Sequence, residues 1–256
     1  MGFFIASIIL FLLVKFGFKK SIRIEKKRVP RLFLLGILQT TLQYFFFYNG
    51  LANTSGMKAS ILSSIGTLFI VILAHYFYSN DKMSLRKVIG LVTGFVGIML
   101  VNRGNTGWDS SFSLQGEGFM IIYGLVEAFA IILAKKIAKE GVHPFLITGW
   151  QMLIGSSIFL LIGVPILQPR AMIFTTRAWA LLIYSSFLSA ATFSLWYSLL
   201  KFNKAGEIAL YKFATPIWGA LLSALIIPGE SLNISIIGAL ILASTGVIVV
   251  NYQNNS

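Results

Sequence analysis

Apolar runs of roughly 18 to 24 residues recur along the chain, separated by short stretches that carry Gly, Pro, Asn or charge. At 1.5 Å per residue, about 20 residues cross the 30 Å of hydrocarbon in a bilayer. The pattern predicts nine helices, at roughly 3–18, 31–49, 57–78, 85–102, 117–134, 144–167, 178–200, 206–227 and 232–251. A single run of this kind could be the core helix of a soluble domain. Nine in succession predict an all-α integral membrane protein. The longest polar stretch, NRGNTGWDSSFSLQGEG at 102–118, divides the helices into two unequal groups.

Composition agrees with the pattern. Of the 256 residues, 57% are hydrophobic and only 11% charged, less than half of what a soluble domain needs to cover its surface. The net charge of +13 suggests nucleic acid until its distribution is considered. Sixteen of the 21 Lys and Arg lie in alternate short loops: eight from Lys15 to Arg31, then Lys82, Arg86 and Lys87, then Lys135, Lys136 and Lys139, then Lys201 and Lys204. The intervening loops hold Lys58, Arg103, Arg170 and Arg177, and Lys212 falls within a span. This asymmetry is the positive-inside rule, so the charge orients the chain and no nucleic-acid partner is expected. It predicts a multi-pass protein of the cytoplasmic membrane with the N-terminus outside and the C-terminus in the cytoplasm.

The start, MGFFIASIILFLLVKFGFKK, has no basic n-region and no small-residue cleavage site, and it reads as a spanning helix rather than a signal peptide. Ala6 stands where a myristoylation signal needs Ser or Thr. The chain has no cysteine, which excludes disulfides and thiolate metal sites.

An internal repeat organises the helices. An offset of 149 aligns YNGLANTSGMKASILSSIGTLFIVILAHYFYSNDKMSLRKVIGLVTGFVGIMLVN (48–102) with YSLLKFNKAGEIALYKFATPIWGALLSALIIPGESLNISIIGALILASTGVIVVN (197–251). Tyr48 meets Tyr197, Leu51 meets Leu200, Asp81 meets Glu230 and Asn102 meets Asn251. The turn at 49–56 lies outside by the charge rule, whereas its counterpart at 198–206 carries Lys201 and Lys204 and lies inside. The halves are therefore inverted, an arrangement characteristic of secondary transporters.

The segment from Gly50 to Asn102, with ILAHYF and RKVIGLVTGFVGIMLVN, resembles the EamA-type members of the drug/metabolite transporter superfamily. The second copy resembles them more closely, with Pro216, then PGES at 228–231, then a glycine-spaced helix with Gly238 and Gly246. The resemblance covers nearly the whole chain and implies ten helices in two five-helix inverted repeats. This sequence shows that pattern minus the first helix. It also has Thr67 in place of the first copy's proline, and Asp81 where the family prefers glutamate. The expected organisation is a first, incomplete repeat of four helices at 1–104, an extracytoplasmic linker at 105–116, and a five-helix repeat at 117–256.

Candidate site residues follow from polarity at depth. Glu127 lies near the middle of span 117–134, where a carboxylate costs about 2.5–3.5 kcal/mol to insert and should face the bundle interior. It is read as a proton-coupling or substrate-amine site, or else as a structural hydrogen bond. Lys212 could pair with Glu127 or bind a substrate carboxylate, with snorkelling to the interface as the slightly favoured alternative. Gln39, Gln43, Tyr44 and Tyr48 fall at near-helical spacing, and the repeat relates Phe193, Trp196 and Tyr197 to Tyr44, Phe47 and Tyr48. The resemblance implies that these helices line a central cavity, making Gln43, Tyr44, Phe193 and Trp196 candidate substrate contacts. An interfacial aromatic belt is the favoured reading for Tyr48 and Tyr197. Pro216 is read as a helix kink, His75 as packing, and Gly90, Gly94, Gly97, Gly238 and Gly246 as close-approach positions.

An enzyme is the rival from another class. His75 and His143 stand far apart without HExxH, Asp81 and Asp109 fall in loops, and no phosphate-binding glycine loop is present. No catalytic residue, metal or cofactor is expected. The resulting expectation is a secondary transporter, an exporter of small organic metabolites such as amino acids, working by alternating access of inverted repeats. Its partners would be a small-molecule substrate and membrane lipid, and its apolar surfaces would also suit a homodimer. The alternative is a non-transporting membrane subunit or truncated transporter.

Overall fold

In the computed structural model the described residues are 1–54, 56–102, 112–163 and 175–215, with single positions between 218 and 248. Every regular element among them is helical: α1 Gly2–Leu12, α2 Val29–Gly36, α3 Gln43–Ala52, α4 Gly56–Ser63, α5 Ile65–Phe77, α6 Leu85–Asn102, α7 Phe119–Lys139, α8 Pro144–Gly163, α9 Thr176–Phe202 and α10 Ala205–Leu210. Among the described residues, three segments are long and apolar enough to cross a membrane, Leu114–Lys139, Pro144–Gly163 and Thr176–Phe202. Gly2–Gly17 and Ile61–Phe77 are shorter apolar helices.

The predicted span at 85–102 coincides with α6. Elsewhere the spans carry irregularities that hydropathy does not encode. α2 and α3 are joined by a π-helical segment, Ile37–Leu42, so span 31–49 is one helix with a widened turn. Span 57–78 tightens at Ser64, between α4 and α5, where the Ser64 N–H bonds the Ile61 carbonyl three residues back while the backbone stays in the α region. The span beginning at 206 opens as α10 and tightens into a 3₁₀ turn, Tyr211–Phe213. Pro216, the predicted kink, lies outside the described residues, as do the PGES turn, most of span 232–251 and most of the linker.

The chain forms two compact units, and each takes segments from both sequence repeats. The first comprises Met1–Tyr44 and Leu133–Phe202. Here α8 is the central helix, packed against α1, α2, the π segment and α9. Ala6, Leu10, Met152 and Ala190 form a buried core, flanked by Phe3, Phe145 and Phe193. The α2–α8 crossing depends on two glycines. A side chain at Gly36 would meet Ile154 Cβ at 2.9 Å, and one at Gly155 would meet the Gly36 carbonyl at 2.6 Å. In α9 only 17% of the apolar window is buried. Gly141, at φ +90°, turns the chain out of α7 toward α8. Lys135, assigned above to a cytoplasmic loop, instead belongs to α7 and is fully buried.

The second unit comprises Phe45–Ile132 and Asn203–Ser256. Here α10 packs against α5 and α6, and α4 packs against both of these. α5 and α7 cross at Gly66 and Gly124, where a Cβ on Gly124 would lie 2.9 Å from the Gly66 amide nitrogen. Three of the expected close-approach glycines serve that role, with Gly94 under the Phe213 ring and Gly90 against Gly246.

Candidate functional site

Within the second unit the two ionisable residues predicted inside spans meet. Lys212 Nζ donates to Glu127 Oε1 in a direct ion pair. The glutamate side chain is 9% exposed and the lysine 24%. Snorkelling, the favoured reading for Lys212, is therefore corrected. Its aliphatic stem carries the ammonium to the carboxylate, which lowers the desolvation cost of both groups.

Glu127 lies in the middle of α7, and its Oε2 occupies the space that a side chain on Gly66 would need, over the first turn of α5. Lys212 lies on the 3₁₀ turn Tyr211–Phe213, where the α-helical ladder of α10 has ended.

A second buried charge pair holds the same unit. Asp81 is fully buried; its Oδ1 accepts from Lys87 Nζ at 2.5 Å, and its Oδ2 accepts from the backbone N–H of Gly206 at 3.0 Å. Lys87 Nζ also donates to the Lys82 carbonyl at 2.7 Å. Beside it, His75 Nδ1 accepts from the Met83 N–H at 2.9 Å, which ties α5 to the loop that follows it. At the start of the Leu114–Lys139 segment, Glu117 accepts from Thr54 Oγ1 at 2.6 Å and from the Ser113 N–H at 2.7 Å, and pairs with Lys58 at 3.1 Å. The acidic turn at Asp81 was visible as one half of the Asp81/Glu230 repeat pair. The Glu117 network had no signal beyond a glutamate at a span boundary.

Gln43, Tyr44, Phe193, Trp196 and Tyr197 belong to the first unit, and Tyr48 to the second. Gln43 is buried, and its Oε1 accepts from Gln39 Nε2. The Tyr44 ring packs on Phe3 with centroids 4.7 Å apart. Phe193 flanks the unit's core and meets Tyr197 at 6.3 Å, while Trp196 is half-buried on α9. Tyr48 is exposed. Tyr197 is not: it is 1% exposed and donates to Gln151 Oε1 at 2.5 Å, so the belt reading is corrected for that residue. Among the described residues no group of three or more His, Cys, Asp and Glu could hold a metal ion.

Apolar helices of membrane-crossing length define the class: a multi-pass helical membrane protein. Comparison with known proteins then specifies the family. The profile of the EamA-like transporter family matches residues 1–103 and 114–252, and the chain belongs to that family. It is 26% identical over 241 residues to the Bacillus subtilis protein named uncharacterized transporter YvbV, covering 91% of this chain and 77% of that one. It is 25% identical over 190 residues to an Archaeoglobus fulgidus uncharacterized transporter, covering 73% of this chain. It is 23% identical over 214 residues to the Arabidopsis thaliana WAT1-related protein At3g02690, chloroplastic, covering 80% of this chain. The chain spans 51% of the Arabidopsis relative's length and 64% of the Archaeoglobus one's. A solved crystal structure shares the fold at a TM-score of 0.82 and 15% identity, covering 98% of this chain and 84% of its own.

Proposed function

We propose that this chain is a secondary transporter that exports small organic metabolites such as amino acids across a cytoplasmic membrane. It would do so by alternating access of two inverted repeats, with nine spans, the N-terminus outside and the C-terminus in the cytoplasm. Lipid surrounds it, and a second copy of the chain is a suitable partner for its apolar faces.

The observation that carries this reading is the Lys212–Glu127 pair, buried against Gly66 of α5. A buried ion pair is a poor source of stability, because desolvating two charges offsets most of their attraction. It is well suited to exchange. A proton or a substrate ammonium competes for Glu127, a substrate carboxylate competes for Lys212, and either event releases the other partner. That coupling gives the bound and unbound states different helix packing, as alternating access requires.

Flux of a labelled amino-acid mixture in proteoliposomes tests the proposal, with wild-type protein and Glu127→Gln compared across about pH 5–8. Wild-type flux that Glu127→Gln lowers by about tenfold or more, with loss of pH dependence, supports both function and site. A Glu127→Gln protein that inserts normally and transports at the wild-type rate removes Glu127 from the mechanism. Absence of wild-type flux rejects the substrate class.

A further inference from the structure

One end of the first unit gathers cations that no acid answers. Phe18, which follows α1, packs against Phe145 at 5.2 Å and against the His143 ring at 5.0 Å, so the end of α1 meets the start of α8. The Lys20 N–H donates to the Val14 carbonyl at 3.0 Å, which holds Lys20 beside this contact. Two residues on, the Ile22 carbonyl accepts from Trp150 Nε1 on α8 at 3.1 Å. The segment is thereby pinned to α8 on both sides of Lys20.

The last turn of α9 reaches the same place. The Tyr197 hydroxyl bonds Gln151, about 10 Å along α8 from Pro144, and Lys201 lies about 6 Å beyond Tyr197 on α9. The charges of Lys20 and Lys201 both act on His143 and add to the effect of burial in lowering its pKa. His143 Nδ1 is buried with no hydrogen-bond partner among the described residues, which leaves Nε2 as the nitrogen that can meet a ligand.

No carboxylate neutralises this group. The first unit has two acids, and both are engaged elsewhere: Glu25 with Lys27 at 2.8 Å and Arg28 at 3.4 Å, and Glu140 with Arg31. Lys201 Nζ instead lies over the Phe202 ring at 5.5 Å. Like charges brought together from separate elements repel, and an anion between them removes the repulsion. The rim of the group is apolar. Phe16, Phe18 and Phe202 are 65%, 42% and 80% exposed, and Leu12 of α1 and Leu199 of α9 are exposed in the adjoining turns. Lysines bordered by exposed aromatic rings at the ends of apolar helices suit an anion that carries its own hydrocarbon.

We propose that Lys20, His143 and Lys201 form a site for the phosphate of an anionic phospholipid, whose acyl chains lie along the exposed apolar residues of α1 and α9. The proposal rests on the helical membrane fold and is independent of the transport reading. Each ammonium donates to a phosphate oxygen, and the imidazole adds a donor without a full charge. A zwitterionic headgroup carries a cation of its own into the cluster and is disfavoured by the same repulsion. Free phosphate satisfies the lysines but leaves the aromatic rim and the leucines in contact with water.

The test is thermal melting of the full chain in an uncharged detergent, titrated with dioleoyl-phosphatidylglycerol, with dioleoyl-phosphatidylcholine, or with inorganic phosphate at matched ionic strength. Phosphatidylglycerol is expected to raise the melting temperature saturably, and the other two to leave it in place. Lys20→Gln and Lys201→Gln should each weaken the apparent affinity for phosphatidylglycerol about fivefold. Lys26→Gln and Lys27→Gln, which remove the same charge from the neighbouring loop, should not. Native mass spectrometry of the same four variants, counting the phosphatidylglycerol they retain, reads binding without reference to stability. No saturable shift with phosphatidylglycerol, or an equal shift with phosphatidylcholine, overturns the proposal. An equal loss of affinity in all four variants also overturns it and marks diffuse surface charge. A shift with inorganic phosphate alone overturns it in favour of a soluble anion.

Discussion

The carboxylate of Asp81 accepts the backbone N–H of Gly206, 125 positions further along the chain, at 3.0 Å. The turn that closes the first repeat's α5 thus caps the first turn of the second repeat's α10. Lys87 completes the arrangement by neutralising the carboxylate from α6. One buried acid therefore satisfies a helix-end amide and a lysine that hydrophobic surroundings alone could not hold.

Replacing Asp81 by Ala should leave Lys87 buried and uncompensated, and the Gly206 amide without an acceptor. A loss of about 3–5 kcal/mol is expected, read as a lower melting temperature in detergent. Adding Lys87→Met to Asp81→Ala should recover part of the loss, because the double variant has no stranded charge.

The same logic applies to Glu127 and Lys212 with a different functional consequence. Lys212→Met should destabilise the protein by about 3 kcal/mol, since it leaves the better-buried partner charged. Lys212→Met combined with Glu127→Gln should be at least as stable as either single variant, yet remain inactive in flux. A fully active double variant would make the pair a packing device only.

Gly124→Ala and Gly66→Ala should both separate α5 from α7. A methyl on Gly124 meets the Gly66 backbone, and one on Gly66 displaces the Glu127 carboxylate. Each should cost about 1–3 kcal/mol, measured as thermal stability. Only Gly66→Ala is expected also to alter the pH profile of flux, because only it touches the ion pair directly.

His143 supplies a pH prediction. Burial, reinforced by Lys20 and Lys201, holds its imidazole pKa below the ordinary histidine value. Phe18 and Phe145 pack against the ring at 5.0 and 5.5 Å. The unfolded chain therefore binds this proton more readily than the folded one. The stability it contributes is complete above about pH 6.5 and is lost as pH falls through the lower folded-state value. Melting curves between about pH 5 and 8 should show a fall on the acid side that His143→Phe flattens.

The helices were legible because hydrocarbon imposes a length and a composition on anything that crosses it; α6 sits where its apolar run sits. Glu127 and Lys212 stood out because a charge in such a run is costly. Their pairing stood only as an alternative to snorkelling, since 85 positions separate them and the packing of α7 against the 3₁₀ turn joins them. Asp81 resembled an ordinary solvated turn acid, and its burial depends on α10 arriving from the other repeat. Lys135 was counted as a loop lysine because its neighbours Lys136 and Lys139 share the run, although α7 continues through all three. Gln151 drew no notice. An uncharged amide barely lowers the hydropathy of its window, and Tyr197, its partner, resembled a belt residue at the end of a span.

The six residues from Ile37 to Leu42 also set a limit on how this helix can be compared with others. A π turn accommodates one residue more than the α-helix needs, so side chains before and after it are out of phase by about 100°. Gly36, against α8, and Tyr44, against Phe3, therefore belong to two different helical wheels. A gapless alignment to a relative with an uninterrupted helix would be in register on one side of Leu38 and wrong by one position on the other. Deleting a single residue within the segment is the shortest mutational route between the two forms, and it would rotate Gln43 and every later side chain of the helix relative to Gln39.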